Sequence, residues 1–239
     1  MPIDYERAAG DLTSILHLTE PPIGITFSDE APPGVPAFDD PMPEPTPDGR
    51  TGRVPAGCVF WMKAIDRTFV TAPEDHGNCS VGSLTHGLVG LEEAAGRADV
   101  HALVASGWVT EDVLSQIPTV STRPGFITYG PLSEAAAEPD VVLLRVSPKQ
   151  LMMISDALPD LHGGGKPQCH IVALAKEHGQ VAASVGCMLS RTRTGMSPDE
   201  MTCALPAARL QEVLQKLGAA AEADAAVASY ATEDSRRFT

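Results

Sequence analysis

Positive charge is scarce in this sequence. Its 17 Lys and Arg stand against 31 Asp and Glu, a formal net charge of -14. Such a surface repels phosphate backbones and anionic bilayers over about a Debye length, roughly 8 Å at physiological salt, so neither nucleic acid nor a membrane surface is expected as a partner. No apolar run approaches the roughly 18 residues that span a bilayer. The opening Met1-Pro2-Ile3-Asp4-Tyr5-Glu6-Arg7 lacks the charged-then-apolar pattern of a secretory signal, and the expected location is the cytoplasm. No C-x-x-C pair and no H-E-x-x-H occurs, which removes the local signatures of thioredoxin-like, zinc-ribbon and zincin chemistry. No G-x-G-x-x-G follows a strand, so a dinucleotide site has no fingerprint. His162-Gly163-Gly164-Gly165-Lys166 has neither the spacing of a phosphate loop nor a G-x-S-x-G nucleophile elsewhere to serve as a lipase oxyanion loop.

The rest of the composition is that of a folded globule: 43% hydrophobic and 20% charged residues in 239. Leu12, Ile15 and Leu16 recur at helical spacing and predict a helix over residues 4–18, stopped by Pro21-Pro22 and followed by a β-branched strand over 23–27. Residues 30–57 are so rich in Pro, Gly and Asp that they predict a loop or lid, ending directly at Cys58. A buried helix is expected from Cys58 to Ile65, a strand over 68–71, a polar turn over 73–79, and then Val81, Leu84, Leu88 and Leu91 at helical spacing. A helix over 110–117 and a strand over 125–129 follow.

The clearest unit is the apolar run 139–146, which leads into Ser147-Pro148-Lys149-Gln150, a capping box with proline at the first helical position. Leu151, Ile154 and Leu158 line the helix that follows, and a turn over 162–167 ends it. Residues 169–175 fit helix or strand, 181–185 and 201–205 fit strands, and Leu210, Val213, Leu214 and Leu217 stripe a last helix. The expected architecture is one compact α/β or α+β domain over 1–218, a mixed central sheet flanked by helices, with 219–239 an Ala-rich helical extension whose end is loose.

Five cysteines in a chain without a secretion signal read as free thiols, which bind metals, react, or simply pack. Cys79 follows His76 by three residues and opens an expected helix, where backbone N–H groups and the imidazole favour a thiolate while Glu74 and Asp75 oppose it. Cys58, beside Phe60 and Trp61, reads first as a core thiol. Gly186-Cys187 leaves the end of an apolar strand, where ligand sites of α/β proteins gather. Lys166 and Arg191 are candidate anion contacts near the same strand ends, though an arginine there also finds surface carboxylates.

Taken in order, Pro21-Pro22-Ile23-Gly24-Ile25 after a first helix, Cys58, the Glu74–Cys79 turn with Gly82 and Gly87-Leu88 beyond it, Glu138-Pro139-Asp140-Val141-Val142, and Gly186-Cys187-Met188-Leu189-Ser190-Arg191 resemble the family named domain of unknown function 169. The resemblance runs from the first helix to Leu217. It implies four family cysteines, at Cys58, Cys79, Cys169 and Cys187, and a Gly-Cys followed by Ser-Arg at Ser190-Arg191. Cys203 has no counterpart. Asn78 before Cys79, the proline-rich insertion before Cys58 and His170 after Cys169 depart from the pattern. The resemblance implies no particular activity.

Four matching thiols equal the ligand number of a tetrahedral zinc or of an iron–sulfur cluster. Every cysteine is separated from the next by at least 15 residues, unlike the close pairs of structural zinc sites, which puts an iron–sulfur cluster ahead of zinc. The leading expectation is therefore a metallocofactor held by Cys58, Cys79, Cys169 and Cys187, with His76 and Arg191 as further contacts to it. A thiol enzyme acting on a small molecule, with Cys79 or Cys187 as nucleophile, His76 as base and the proline-rich segment as lid, is the first alternative. A binding or assembly protein without chemistry, packing through Met152, Met153, Phe60 and Trp61, is the second. The expected partner is a small molecule or metallocofactor, and a homo-oligomer stays open.

Overall fold

The computed structural model describes residues 3–40, 57–77 and 79–238. Helix α1 (Tyr5–Leu16) starts where the Asp4 carboxylate accepts the Arg7 amide at 3.0 Å, and it ends at His17, whose φ of 52° is left-handed. Pro21-Pro22 then turns the chain into strand β1 (Ile23–Ser28). The other strands are β2 (Phe69–Thr71), β3 (Phe126–Pro131), β4 (Val141–Val146), β5 (His162–Gly164), β6 (Ala182–Ser184) and β7 (Met201–Pro206). They form one seven-stranded sheet in the order β2-β3-β1-β4-β7-β6-β5. Every neighbouring pair is antiparallel except β5 and β6, so the sheet is mixed, as expected.

Alternation along the central strands sorts two cores. From β4 and β7, Val142, Leu144, Val146, Cys203 and Leu205 pack under α1, α7 (Pro148–Ala157) and α10 (Leu210–Ser235). Val141, Leu143 and Ala204 point the other way, toward α2 (Gly57–Lys63) and α8 (His170–His178). Burying each such Leu or Val contributes about 1.5–3 kcal/mol. The capping box forms as the sequence requires: the Ser147 amide donates to Gln150 Oε1 at 2.7 Å. The Gln150 amide group also donates to the Leu16 and His17 carbonyls, fastening the end of α1.

Four short helices, α3 (Ser80–Thr85), α4 (Leu91–Ala95), α5 (Ala98–Ala105) and α6 (Glu111–Leu114), share a third, smaller core of Val81, Leu84, Ala94, Val100, Leu114 and Ile117. The spacing from Val81 to Leu91 is therefore not one helix. Gly87 breaks it with a φ of +73°, and a Cβ there would lie 2.6 Å from the Val120 carbonyl oxygen, so the chain passes too close for any side chain.

One further expectation is revised, and two are made specific. The 162–167 turn begins as edge strand β5, a Gly-rich segment without strand propensity that is held by its neighbour, with the His162 amide on Val181 O at 2.9 Å and the Val185 amide on Gly164 O at 3.1 Å. Of residues 169–175, which fit helix or strand by sequence, 170–175 are helical, with Cys169 as the N-cap. The helical extension expected after Gly218 continues α10 without a break to Ser235; its last core contact is Ala221, and Val227 and Tyr230 are exposed.

Of the loop over 30–57, the first part packs: Phe38 donates its amide to Val70 O at 2.8 Å and its ring meets Phe60 and Phe69. Residues 41–56, the proline-rich centre of the expected lid, lie outside the described residues. Among the described residues no helix is long and apolar enough to cross a membrane.

Candidate functional site

On the α2/α8 side of the sheet, four helices begin with cysteine. Cys58 is the second residue of α2; Cys79, Cys169 and Cys187 are the N-cap residues of α3, α8 and α9 (Met188–Thr194). These helices pack on one another, α2 against α3 and α9, and α3 against α8. The parallel pair β5 and β6 supplies two of the starts, because the chain leaves their ends toward Cys169 and Cys187. A hydrogen-bond chain ties those two starts together: the Cys187 amide donates to Ser190 Oγ at 3.2 Å, and that hydroxyl donates to Gln168 Oε1 at 2.5 Å.

The sulfurs are close enough to act on one another. Burial first, then Cys79 and Cys187, push the Cys58 thiol up to about 12. The Cys169 thiol is raised well above its ordinary value by burial and then by Cys79, Cys58 and Cys187, although the Thr85 hydroxyl against it favours the thiolate. Cys79 is raised by burial and eased back by the Arg193 guanidinium beside it. Cys203 lies on the opposite face of the sheet, and burial alone lifts its thiol to about 12. Four of the five thiols thus lie in one region, within electrostatic reach of one another. With the shifts of Cys58, Cys79 and Cys169 all upward, those three are neutral near pH 7, the reverse of an activated nucleophile.

Arg193 is the cation of the site. It lies beside Cys79, close to Cys58, and feels Asp99. The Asp99 carboxylate is committed elsewhere, to the Ser80 amide at 3.0 Å and the Ser80 hydroxyl at 2.6 Å. In a chain with nearly twice as many acids as bases, no carboxylate among the described residues forms an ion pair with Arg193. A guanidinium left without a carboxylate next to thiols is a counter-charge for thiolates.

His76, His86 and Tyr129 are buried in the same region. The Tyr129 hydroxyl has no hydrogen-bond partner and is raised far above its ordinary value by burial, then by Cys58 and Cys169. The two imidazoles have fixed tautomers. Thr71 Oγ1 donates to Ile127 O at 3.0 Å, so at 3.0 Å from His76 Nε2 it must accept, which places the proton on Nε2 and leaves Nδ1 bare. His86 Nδ1 lies 2.8 Å from Gly82 O, a pure acceptor, so Nδ1 carries the proton and Nε2 is bare. Burial drives His76 well below 6.5 and His86 down to about 4, so both rings are neutral. His76 Nδ1 and His86 Nε2 are both buried without a partner.

The expected contacts divide. His76 is in this region, wedged 4.6 Å from the Phe60 ring, but its bonded partner is Thr71. Arg191 is elsewhere engaged: its guanidinium donates to the carbonyls of Ser197, Val185 and Glu200 at 2.5, 2.6 and 2.9 Å, which fastens the loop around Gly186. Lys166 stacks 5.0 Å over the Trp108 ring and donates to the Trp108 carbonyl. Sequence reasoning missed Arg193, His86 and Tyr129. Arg193 carried a faint signal, since it sits on the helix that Cys187 opens; nothing in the spacing of His86 or Tyr129 points to a thiol.

The family model described as uncharacterised ArCR, domain of unknown function 169, matches residues 11–216. The chain belongs to this family. No curated protein and no solved structure matches it. The matched region contains all four pocket cysteines of this domain of unknown function 169 chain, together with Arg193, His86 and Tyr129. Among the described residues of this family member, no three His, Cys, Asp or Glu side chains are set to share a single metal ion.

Proposed function

We propose that this pocket binds an iron–sulfur cluster through the thiolates of Cys58, Cys79, Cys169 and Cys187. One observation carries the reading: four cysteines from distant parts of the chain meet at one set of helix starts, while the fifth is kept on the other face of the sheet. Thiols that merely fill a core have no reason to gather.

The donor set fits a cluster better than zinc. A tetrahedral ion with metal–sulfur bonds near 2.3 Å needs sulfurs about 3.8 Å apart, and no three donors among the described residues offer that. A cluster would spread its four thiolates over more than one iron, and so would accept a wider spread. When bound, such a cluster supplies one-electron transfer. The chain's own part is to hold the thiolates, to offset their charge with Arg193, and to enclose them between the apolar side chains of α2 and α8. Three of the thiols start protonated, so loading releases protons and strengthens as pH rises.

Reconstitution with ferrous iron and sulfide under anaerobic conditions tests the reading. The expected product is brown, carries iron and acid-labile sulfide in equal amounts, and has a broad visible absorption that bleaches with dithionite. A colourless, iron-free protein with one fast-alkylating cysteine would overturn it in favour of thiol chemistry.

A further inference from the structure

We infer that the turn from β6 into α9, with Val185 and Met188 at its centre and Lys166 and Arg191 beside it, is the docking surface for an acidic one-electron carrier protein that reduces the centre in the cysteine pocket. The inference rests on the cluster reading above and adds the place and the charge of the redox partner. One electron leaves the reduced iron of the carrier and reduces the cluster, and no bond forms or breaks.

Position comes first. Cys79 and Cys169 are buried, whereas Cys187 is partly exposed at the start of α9. Two exposed large apolar side chains flank it: Val185 is 55% and Met188 69% exposed. A single exposed apolar side chain needs no explanation, but a pair astride a pocket cysteine marks a side on which the site approaches solvent. Lys166 belongs to the same edge, because β5 and β6 run parallel and their chains emerge together. The Val185 amide donates to Gly164 O at 3.1 Å, and the Ser184 hydroxyl, which donates to Gly165 O at 2.7 Å, accepts the Gly186 amide at 3.1 Å.

Charge comes second. Most of the described cations of this acidic chain pair with carboxylates, Arg145, Lys176 and Arg209 among them. At this edge they do not. Lys166 donates to the Trp108 carbonyl and lies over its ring, and Arg191 donates to three carbonyls while the nearby Asp199 carboxylate accepts the Ser197 hydroxyl. Neutral acceptors satisfy the hydrogen bonds but leave the positive charge in place. A local positive edge on a chain of net charge -14 steers an acidic protein to one place and repels it elsewhere. A second copy of this chain does not fit, since a two-fold contact here would set Lys166 and Arg191 against the same cations. Two apolar side chains beside a charged rim are too little for a permanent dimer and suit the small interfaces of electron-transfer encounters, below about 1,200 Å².

A reduced, acidic plant-type ferredoxin is the probe. Stopped-flow mixing with the reconstituted, oxidised protein is expected to bleach the cluster at a rate that falls as salt rises, and Lys166→Glu is expected to slow it by at least about tenfold at low salt. Lys149→Glu, at the start of α7 on the other face of the sheet, changes the net charge equally and is expected to change the rate by less than about twofold. Carbodiimide, which joins an amine to a carboxylate, is expected to couple the ferredoxin to the protein through Lys166, read by peptide mass spectrometry. Equal slowing by Lys166→Glu and Lys149→Glu, a rate that rises with salt, or coupling at Lys149 in place of Lys166 would overturn the inference and leave the cluster reading intact. Met188→Glu, at an exposed position apart from the Lys166 contact with Trp108, is expected to slow the reaction as well, so poor folding of the Lys166 variant does not spare the inference. Failure to take up iron at all would instead defeat the cluster reading, and the partner with it.

Discussion

Serine in place of Cys58, Cys79 or Cys169 is expected to lower iron uptake on reconstitution by more than about tenfold, while Cys203→Ala leaves it unchanged. Each pocket substitution removes a direct ligand, and even outer partners of metal ligands commonly cost 10- to 100-fold in affinity. Cys187→Ser belongs to the same class, but it also alters the α9 cap, where the Ser190 amide donates to the Cys187 sulfur at 3.4 Å. Cys203 is the internal control, because it is a fully buried thiol that lies beneath α10, on the other face of the sheet. Iron per chain, measured beside circular dichroism to confirm folding, gives the comparison. Iron in the pocket variants equal to that in Cys203→Ala would mean that the sulfurs gather without purpose.

The metal-free protein is expected to lose stability when the pH is lowered from 7 to 5. His86 has a folded pKa of about 4, against an ordinary value of 6.5. Below 6.5 the unfolded chain takes up a proton that the folded chain refuses, so the unfolded state is favoured progressively until pH falls through about 4; above 6.5 nothing is lost. For His86 alone this amounts to about 2 kcal/mol between pH 7 and 5, and His76, depressed for the same reason, acts in the same direction. The window separates this effect from the carboxylates. Asp40, Asp160 and Glu212 have lowered values, that of Glu212 about 2, so their stabilisation is lost only at lower pH. Urea unfolding at the two pH values measures the difference, and His86→Phe, which removes one of the titrating rings, should reduce it by the His86 share. A stability unchanged between pH 7 and 5 would show that the buried rings are not held neutral.

Much of the fold was legible because strong local signals and the tertiary structure agree. Pro21-Pro22, the Ser147–Gln150 capping box and the apolar run of β4 each admit one local solution, and the sheet is built around them. The misses have physical causes. Strand β5 exists only through its pairing with β6, and the helix that the spacing suggested beyond Val81 is cut at Gly87 by two carbonyls that arrive from Val120 and Thr122. The cysteines of the site were visible as residue types. Their meeting was not, since it depends on four helices packing side by side. Arg191 had the right chemistry for the site at the wrong angle along α9: it turns to three carbonyls, while Arg193, two residues later, turns to Cys79. His86 was not singled out, since its tautomer is fixed only by the Gly82 carbonyl that the fold brings to Nδ1.

Iron-edge X-ray absorption on the reconstituted protein probes the centre itself. A first shell dominated by sulfur near 2.3 Å, with a second, metal–metal distance beyond it, is the result expected when Cys58, Cys79, Cys169 and Cys187 hold a cluster. Iron surrounded only by oxygen and nitrogen, with no sulfur shell, would contradict it.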